Sequence, residues 1–216
     1  MQLNQKDWSC EKKRAARHET IVAVYRQVFG RTIPLGKQYW TLAGQCATTT
    51  GDPLNGCEPL QVIQSGLISP GQYVGVELNP QIHELNVAAF PELTWACKDF
   101  YRAMLDAYSE DRFDPGVVNL DLPRTPDGGV AYIGKTLAFL THAARECLFV
   151  VNVIIRQRFY TTKNGDYIIE MLKKNKLFAS AWAEGGWELW PDWYRYQGAG
   201  QTGGRTEMGT VVFIRR

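Results

Sequence analysis

The stretch Tyr73-Val74-Gly75-Val76-Glu77-Leu78-Asn79-Pro80 reads YVGVELNP and compresses a strand, a carboxylate and a helix start into a few residues. Its aromatic and β-branched side chains favour extended backbone. The run up to Val76 has no charge, as suits a strand buried on both faces of a parallel sheet. Asn79 can accept the free N–H groups of a following helix, and Pro80 fits the first helical position, which needs no N–H donor. A strand over 73–78 and a helix through residue 90 are therefore expected.

The same unit recurs on both sides. Upstream, residues 38–42 (QYWTL) predict a strand running into Ala43-Gly44-Gln45. A polar, turn-rich loop follows, and then a helix over 58–68. Downstream, strands are expected over 93–97, 117–122 (VVNLDL) and 147–155 (CLFVVNVII), with helices over 100–108, 129–145 and 166–176. Residues 187–196 and 210–215 predict two more strands joined by QGAGQTGG. No helix fits between them, so they must pair antiparallel. Repeated strand–helix units give an α/β fold: a three-layer, doubly wound, mostly parallel sheet of about seven strands, closed by a C-terminal antiparallel hairpin. A dehydrogenase-type dinucleotide fold would normally end in a sixth parallel strand, and a flavodoxin-like domain would stop after five.

An extra helix is expected over 10–29, capped by Asp7 or Ser9 and ended by Gly30. His18, Ile21, Val22, Tyr25, Val28 and Phe29 form its apolar stripe, while Lys12, Lys13, Arg14, Arg17 and Arg26 cover the rest. The chain thus divides into a basic helix and linker, 1–37, and an α/β domain, 38–216.

The net charge of +2 conceals an asymmetry. Eight Lys/Arg against three Asp/Glu give +5 over residues 1–37. Six against thirteen give −7 over 38–155, and ten against six give +4 over 156–216. The basic ends suit a polyanionic partner such as nucleic acid, or they simply decorate solvated helix faces. Arg156 and Arg158, just after the fifth strand, lie where phosphates would be met. The five cysteines are odd in number and contain no CxxC pair, so neither a zinc knuckle nor a disulfide framework is expected. His18, His83 and His142 are too scattered to suggest a metal. The longest apolar run, near 148–155, is far short of the ~20 residues that cross a bilayer. The N-terminal MQLNQKDWSCEKK has no apolar signal core, so a cytoplasmic protein is expected. Oligomeric state is not legible in the sequence.

Four strand ends carry candidate chemistry. Gly44 ends the first, where a missing side chain lets a ligand approach the backbone or simply permits a turn. Glu77 ends the second, as a paired acceptor for the two hydroxyls of a ribose or as an exposed acid. Asp99, before Phe100, ends the third as a ligand acceptor or a helix cap. On the fourth, NLDLP places Asn119 and Asp121 on one face of a central strand, before Pro123; two buried polar groups there need partners.

In this order of elements and strand ends the chain resembles the class I S-adenosylmethionine (AdoMet) methyltransferases, whose seven-stranded sheet has an antiparallel last strand. The resemblance covers roughly residues 38–216. It implies that Ala43, Gly44 and Gln45 border the methionine part of AdoMet, although the family has several glycines there and this chain keeps Gly44 alone. It also implies that Glu77 binds the ribose, Leu78 packs on one adenine face, and Asp99 and Phe100 meet the adenine. NLDLP is similar to the Asn/Asp-Pro-Pro-aromatic motif of the amino-methylating nucleic-acid enzymes, without the second proline or the aromatic. Asn119 would then hold, and Asp121 orient or deprotonate, the acceptor amine beside Pro123. The function so implied is AdoMet-dependent methyl transfer, with nucleic acid the favoured acceptor. The alternative is a non-catalytic Rossmann-like binding or partner subunit derived from such an enzyme. A nicotinamide reductase is disfavoured, because no GxGxxG follows the first strand.

Overall fold

The computed structural model describes residues 11–122, 126–155, 166–192, 194–199 and 205–216. Strands β1 (Gln38–Leu42), β2 (Tyr73–Val76), β3 (Thr94–Ala96), β4 (Pro115–Asp121) and β5 (Cys147–Ile155) run parallel, and β8 (Arg205–Arg215) returns antiparallel beside β5. The order across the sheet is β3-β2-β1-β4-β5-β8-β6. The expected hairpin is present, with one difference. Its outer strand is broken into β6 (Glu188–Leu189) and β7 (Tyr194–Ala199), which pair with different stretches of β8. Trp190 N still donates to Val212 O, 2.9 Å away, but the next residue is Pro191, which has no N–H to continue the ladder. One interrupted edge strand thus brings the total to eight.

Two apolar layers cover the sheet. One face packs Trp40, Val76, Leu120, Phe149 and Phe213 against α5 (Phe100–Ser109), α6 (Pro126–Ala143), α7 (Asp166–Leu172) and α8 (Lys176–Glu184). The other packs Tyr39, Tyr73, Val117, Val150 and Val212 against the N-terminal helix, α3 (Glu58–Gln64) and the end of α4 (Pro80–Ala89). The helix expected over 166–176 stops early, at Leu172, and a second helix, α8, follows where no element was expected; Asn175 accepts a bond from Phe178 N at 3.1 Å and so starts it.

The N-terminal helix runs through α1 (Glu11–Arg17), a π-helical turn (His18–Ala23) and α2 (Val24–Phe29), and ends at left-handed Gly30 as expected. Ile21, Val22 and Tyr25 are buried in the same cluster as Tyr39 and Val117. His18, by contrast, is exposed, and Arg17 is buried. The wider π-helical turn begins at His18 and rotates the residues around it relative to the 3.6-residue repeat, so Arg17 and Thr20 face inward.

Gly75 of β2 sits opposite Trp95 of β3. A Cβ built at Gly75 would lie 2.3 Å from the indole ring, whose Nε1 donates to Phe90 O. Gly75→Ala is therefore expected to destabilise the protein by about 1–3 kcal/mol, the usual cost of overpacking. A thermal melt checks this; an unshifted midpoint would show that Trp95 swings aside without penalty.

Candidate active site

Open parallel sheets bind ligands at the carboxyl ends of their strands. Here β1 lies between β2 and β4, so its end is flanked by theirs. Ala43 N donates to Val76 O at 3.1 Å, and Glu77 N donates to Ala96 O at 3.0 Å. These bonds set Gly44 and Glu77 on neighbouring strands of one rim. Gly44 has φ 61°, in the left-handed region, and no heavy atom lies within 4 Å of where its Cβ would be. The position is therefore open as well as conformationally suited to glycine.

Asn86 of α4 holds the loop beyond β1. Its Nδ2 donates to Gly44 O at 2.8 Å and its Oδ1 accepts from Cys46 N at 2.9 Å. Gln45 folds back to donate to Ala47 O, leaving backbone as the main contribution of residues 43–45 to the rim. Glu77 Oε1 accepts from Asn79 N at 2.8 Å, while its second oxygen has no protein partner among the described residues. Beside it, the Leu78 side chain is 65% exposed. Asn79 caps α4 as its sequence implied.

Asp99 caps α5 through Arg102 N, and its other oxygen accepts from the Tyr132 hydroxyl at 3.2 Å. Burial, the largest influence, raises the Tyr132 pKa well above the ordinary phenol value, so this hydroxyl remains a donor. The adenine role read for Phe100 needs correction. Phe100 is 1% exposed and meets Trp40 edge-on, so its ring is a core contact with no face left for a ligand.

Asn119 also differs from expectation. At 1% exposure it donates from Nδ2 to Glu58 Oε1 at 2.7 Å and accepts from Asn152 Nδ2 at 3.0 Å. Asn152 accepts in turn from Thr210 at 2.5 Å, while Glu58 Oε1 also accepts from the Tyr39 hydroxyl at 2.5 Å. The polar partners that Asn119 required are thus protein groups strung across β1, β4, β5 and β8, and it is not free to hold an acceptor. Arg17 approaches Glu58 Oε2 at 3.9 Å and points a guanidinium N–H at Gly56 O. Burial, the largest influence, lowers the Arg17 pKa, but the charges of Glu58 and Asp121 together leave it above its ordinary value. Burial and the adjacent Glu58 charge drive the Tyr39 pKa strongly upward, which keeps that hydroxyl protonated as a donor.

Asp121 is the last residue of β4, half-buried, opposite Asn152 in register and within electrostatic reach of Arg17. Pro123, Arg156 and Arg158 lie outside the described residues. Arg26, read as a surface charge, remains exposed but donates to Ser65 O. With Arg17 turned inward, the N-terminal helix offers fewer free cations than its composition suggested. Glu58, Arg17, Asn86 and Tyr132 carried no sequence signal, because their partners stand between 19 and 61 residues away. Asn152 did carry one, as the lone polar residue in CLFVVNVII.

A separate cavity of about 700 Å³ runs between α5 and β3, with Trp40, His83, Asp106 and Phe113 among its lining residues. It touches neither Gly44 nor Glu77. Among the described residues no group of three or more His, Cys, Asp or Glu is placed to hold a metal ion, and no helix is long and apolar enough to cross a membrane.

No protein-family model matches the chain, and neither does any curated sequence. Solved structures do. The precorrin-6y C5,15-methyltransferase from Geobacter metallireducens superposes with a TM-score of 0.51 at 12% identity, over 98% of this chain and 91% of that one. The type IIG restriction endonuclease BpuSI gives 0.53 at 14% identity, over 94% of this chain but only 25% of that one. Together with the strand order and the antiparallel β8, these similarities identify the fold as that of the class I methyltransferases.

Proposed function

We propose that this chain is an AdoMet-dependent methyltransferase whose acceptor is an amino group in nucleic acid. The observation that carries the reading is the open backbone at Gly44 beside the Glu77 carboxylate, on adjacent central strands of a methyltransferase fold. The residues fit the cofactor. The backbone of Ala43, Gly44 and Gln45 borders its methionine, Glu77 accepts from the ribose hydroxyls, and Leu78 covers an adenine face. Asp99 keeps lone pairs to accept from the adenine amino group in addition to its two protein donors. Bound AdoMet supplies a sulfonium methyl, whose transfer needs mainly in-line positioning. Asp121 at the end of β4 orients the acceptor or takes its proton, while Asn119 holds the strand beneath it. The nucleic-acid acceptor is supported by the basic C-terminal segment and by the similarity to a restriction endonuclease.

Titration calorimetry with AdoMet tests the reading. A stoichiometric heat is expected; its absence would favour a non-catalytic binding subunit. Glu77→Ala is expected to weaken binding by about 1–3 kcal/mol, the cost of a lost hydrogen bond to a charged group. An unchanged dissociation constant would place the ribose elsewhere.

A further inference from the structure

We propose that Tyr132 of α6 is a positioning residue for Asp99, fixing its carboxylate so that the site takes adenine and turns away hypoxanthine. The inference deepens the cofactor reading above and rests on it. Tyr101 N donates to the Tyr132 oxygen at 2.9 Å, and a backbone N–H can only donate. The hydroxyl carries a single proton, which is therefore left for Asp99 Oδ2, 3.2 Å away. Asp99 Oδ1 accepts from Arg102 N at 3.1 Å. Each carboxylate oxygen is thus held by its own donor, one from α5 and one from α6, whose Tyr132 stands 33 residues further along the chain.

The phenol ring is itself held. Lys135 lies three residues on and shares a face of α6 with Tyr132. Its ammonium stands 4.2 Å from the centre of the Tyr132 ring and 4.4 Å from that of Tyr101, within the range of cation–π attraction. Tyr101 meets Phe139 edge-on, with 5.9 Å between ring centres. Tyr132 is half-buried whereas Asp99 is exposed, so the lone pairs that the protein leaves on the carboxylate are open to a ligand.

Fixing the carboxylate matters because of what the two purines offer. Adenine presents an amino group beside a bare ring nitrogen. Hypoxanthine presents a carbonyl oxygen beside a ring N–H. A carboxylate accepts only, so it suits the amino group and opposes the carbonyl. If free to turn, it could follow the displaced N–H of hypoxanthine instead. Donors on both oxygens resist that turn, and a site built to accept from one ligand N–H leaves polar groups unpaired against the wrong ligand.

The test is calorimetric titration of the full chain with S-adenosylhomocysteine and S-inosylhomocysteine. Wild type is expected to prefer the adenine ligand by about tenfold or more, the scale of one hydrogen bond. Tyr132→Phe removes only the hydroxyl. It should weaken the adenine ligand by about three- to tenfold and leave the hypoxanthine ligand nearly unchanged, so that the preference narrows. Asp99→Ser keeps a helix cap but removes the carboxylate. In that background Tyr132→Phe should change neither affinity, since it acts through Asp99. Parallel weakening of both ligands, or additive effects of the two substitutions, would make Tyr132 a structural contact and overturn the proposal. An unaltered preference in Tyr132→Phe would overturn it as well, as would wild type that binds both ligands equally. Wild type that binds neither would remove the cofactor reading itself, and the proposal with it.

Discussion

Glu58→Ala is expected to cost roughly 3–5 kcal/mol of folding free energy, the range found when one partner of a buried ion pair is removed. Glu58 is 2% exposed, and its carboxylate is the only acceptor given to the Tyr39 hydroxyl and the acid closest to Arg17 among the described residues. Truncation strands a phenol, an amide N–H and a guanidinium in a dry interior at once, and each unsatisfied group carries its own desolvation penalty. A domain's whole stability is about 5–15 kcal/mol, so the loss should be plain in a urea transition. Glu58→Gln keeps an acceptor for Tyr39 but leaves the Arg17 charge without its partner, and should fall between wild type and Glu58→Ala. The double variant Arg17→Met, Glu58→Leu should recover much of the loss, because a hydrophobic pair needs no solvation. Strictly additive effects would show that Arg17 and Glu58 are not coupled.

Asp121→Ala should lower methyl transfer by about 10²–10⁴-fold, the usual contribution of a positioned acid–base group. AdoMet affinity should be unchanged, since Asp121 ends β4 while the proposed cofactor contacts come from the ends of β1, β2 and β3. The measurement is tritiated methyl incorporation into a nucleic-acid pool, beside calorimetry with AdoMet on the same preparation. Full transfer by the variant would remove Asp121 from the mechanism; lost AdoMet binding would move it to the cofactor site. Because Arg17 lies within reach of Asp121, the melting midpoint of the variant should be compared with that of wild type before the two rates are.

Much of the fold could be read from local pattern. Strands over 38–42 and 147–155 end at the residues where their apolar runs end, and Asn79-Pro80 opens α4 as a cap and first turn should. The misreadings share a cause. His18 and Arg17 follow an ideal helical repeat that the π-helical turn interrupts. The helix expected to reach residue 176 stops at Leu172, because Asn175 caps a separate helix that was not foreseen. Phe100 and Asn119 have the residue types of a ligand site, but neighbouring elements consume them, the ring against Trp40 and the amide against Glu58 and Asn152.

Hydrophobic period and cap chemistry act over a few residues, so the chain by itself determined its strand–helix alternation, its antiparallel closure and the placement of Glu77 at a strand end. Which polar groups face a ligand and which are satisfied by the protein was decided only in three dimensions. The partners of Asn119 stand 33 and 61 residues away. A buried donor takes whichever acceptor the packed sheet brings within about 3 Å, whatever the distance along the chain.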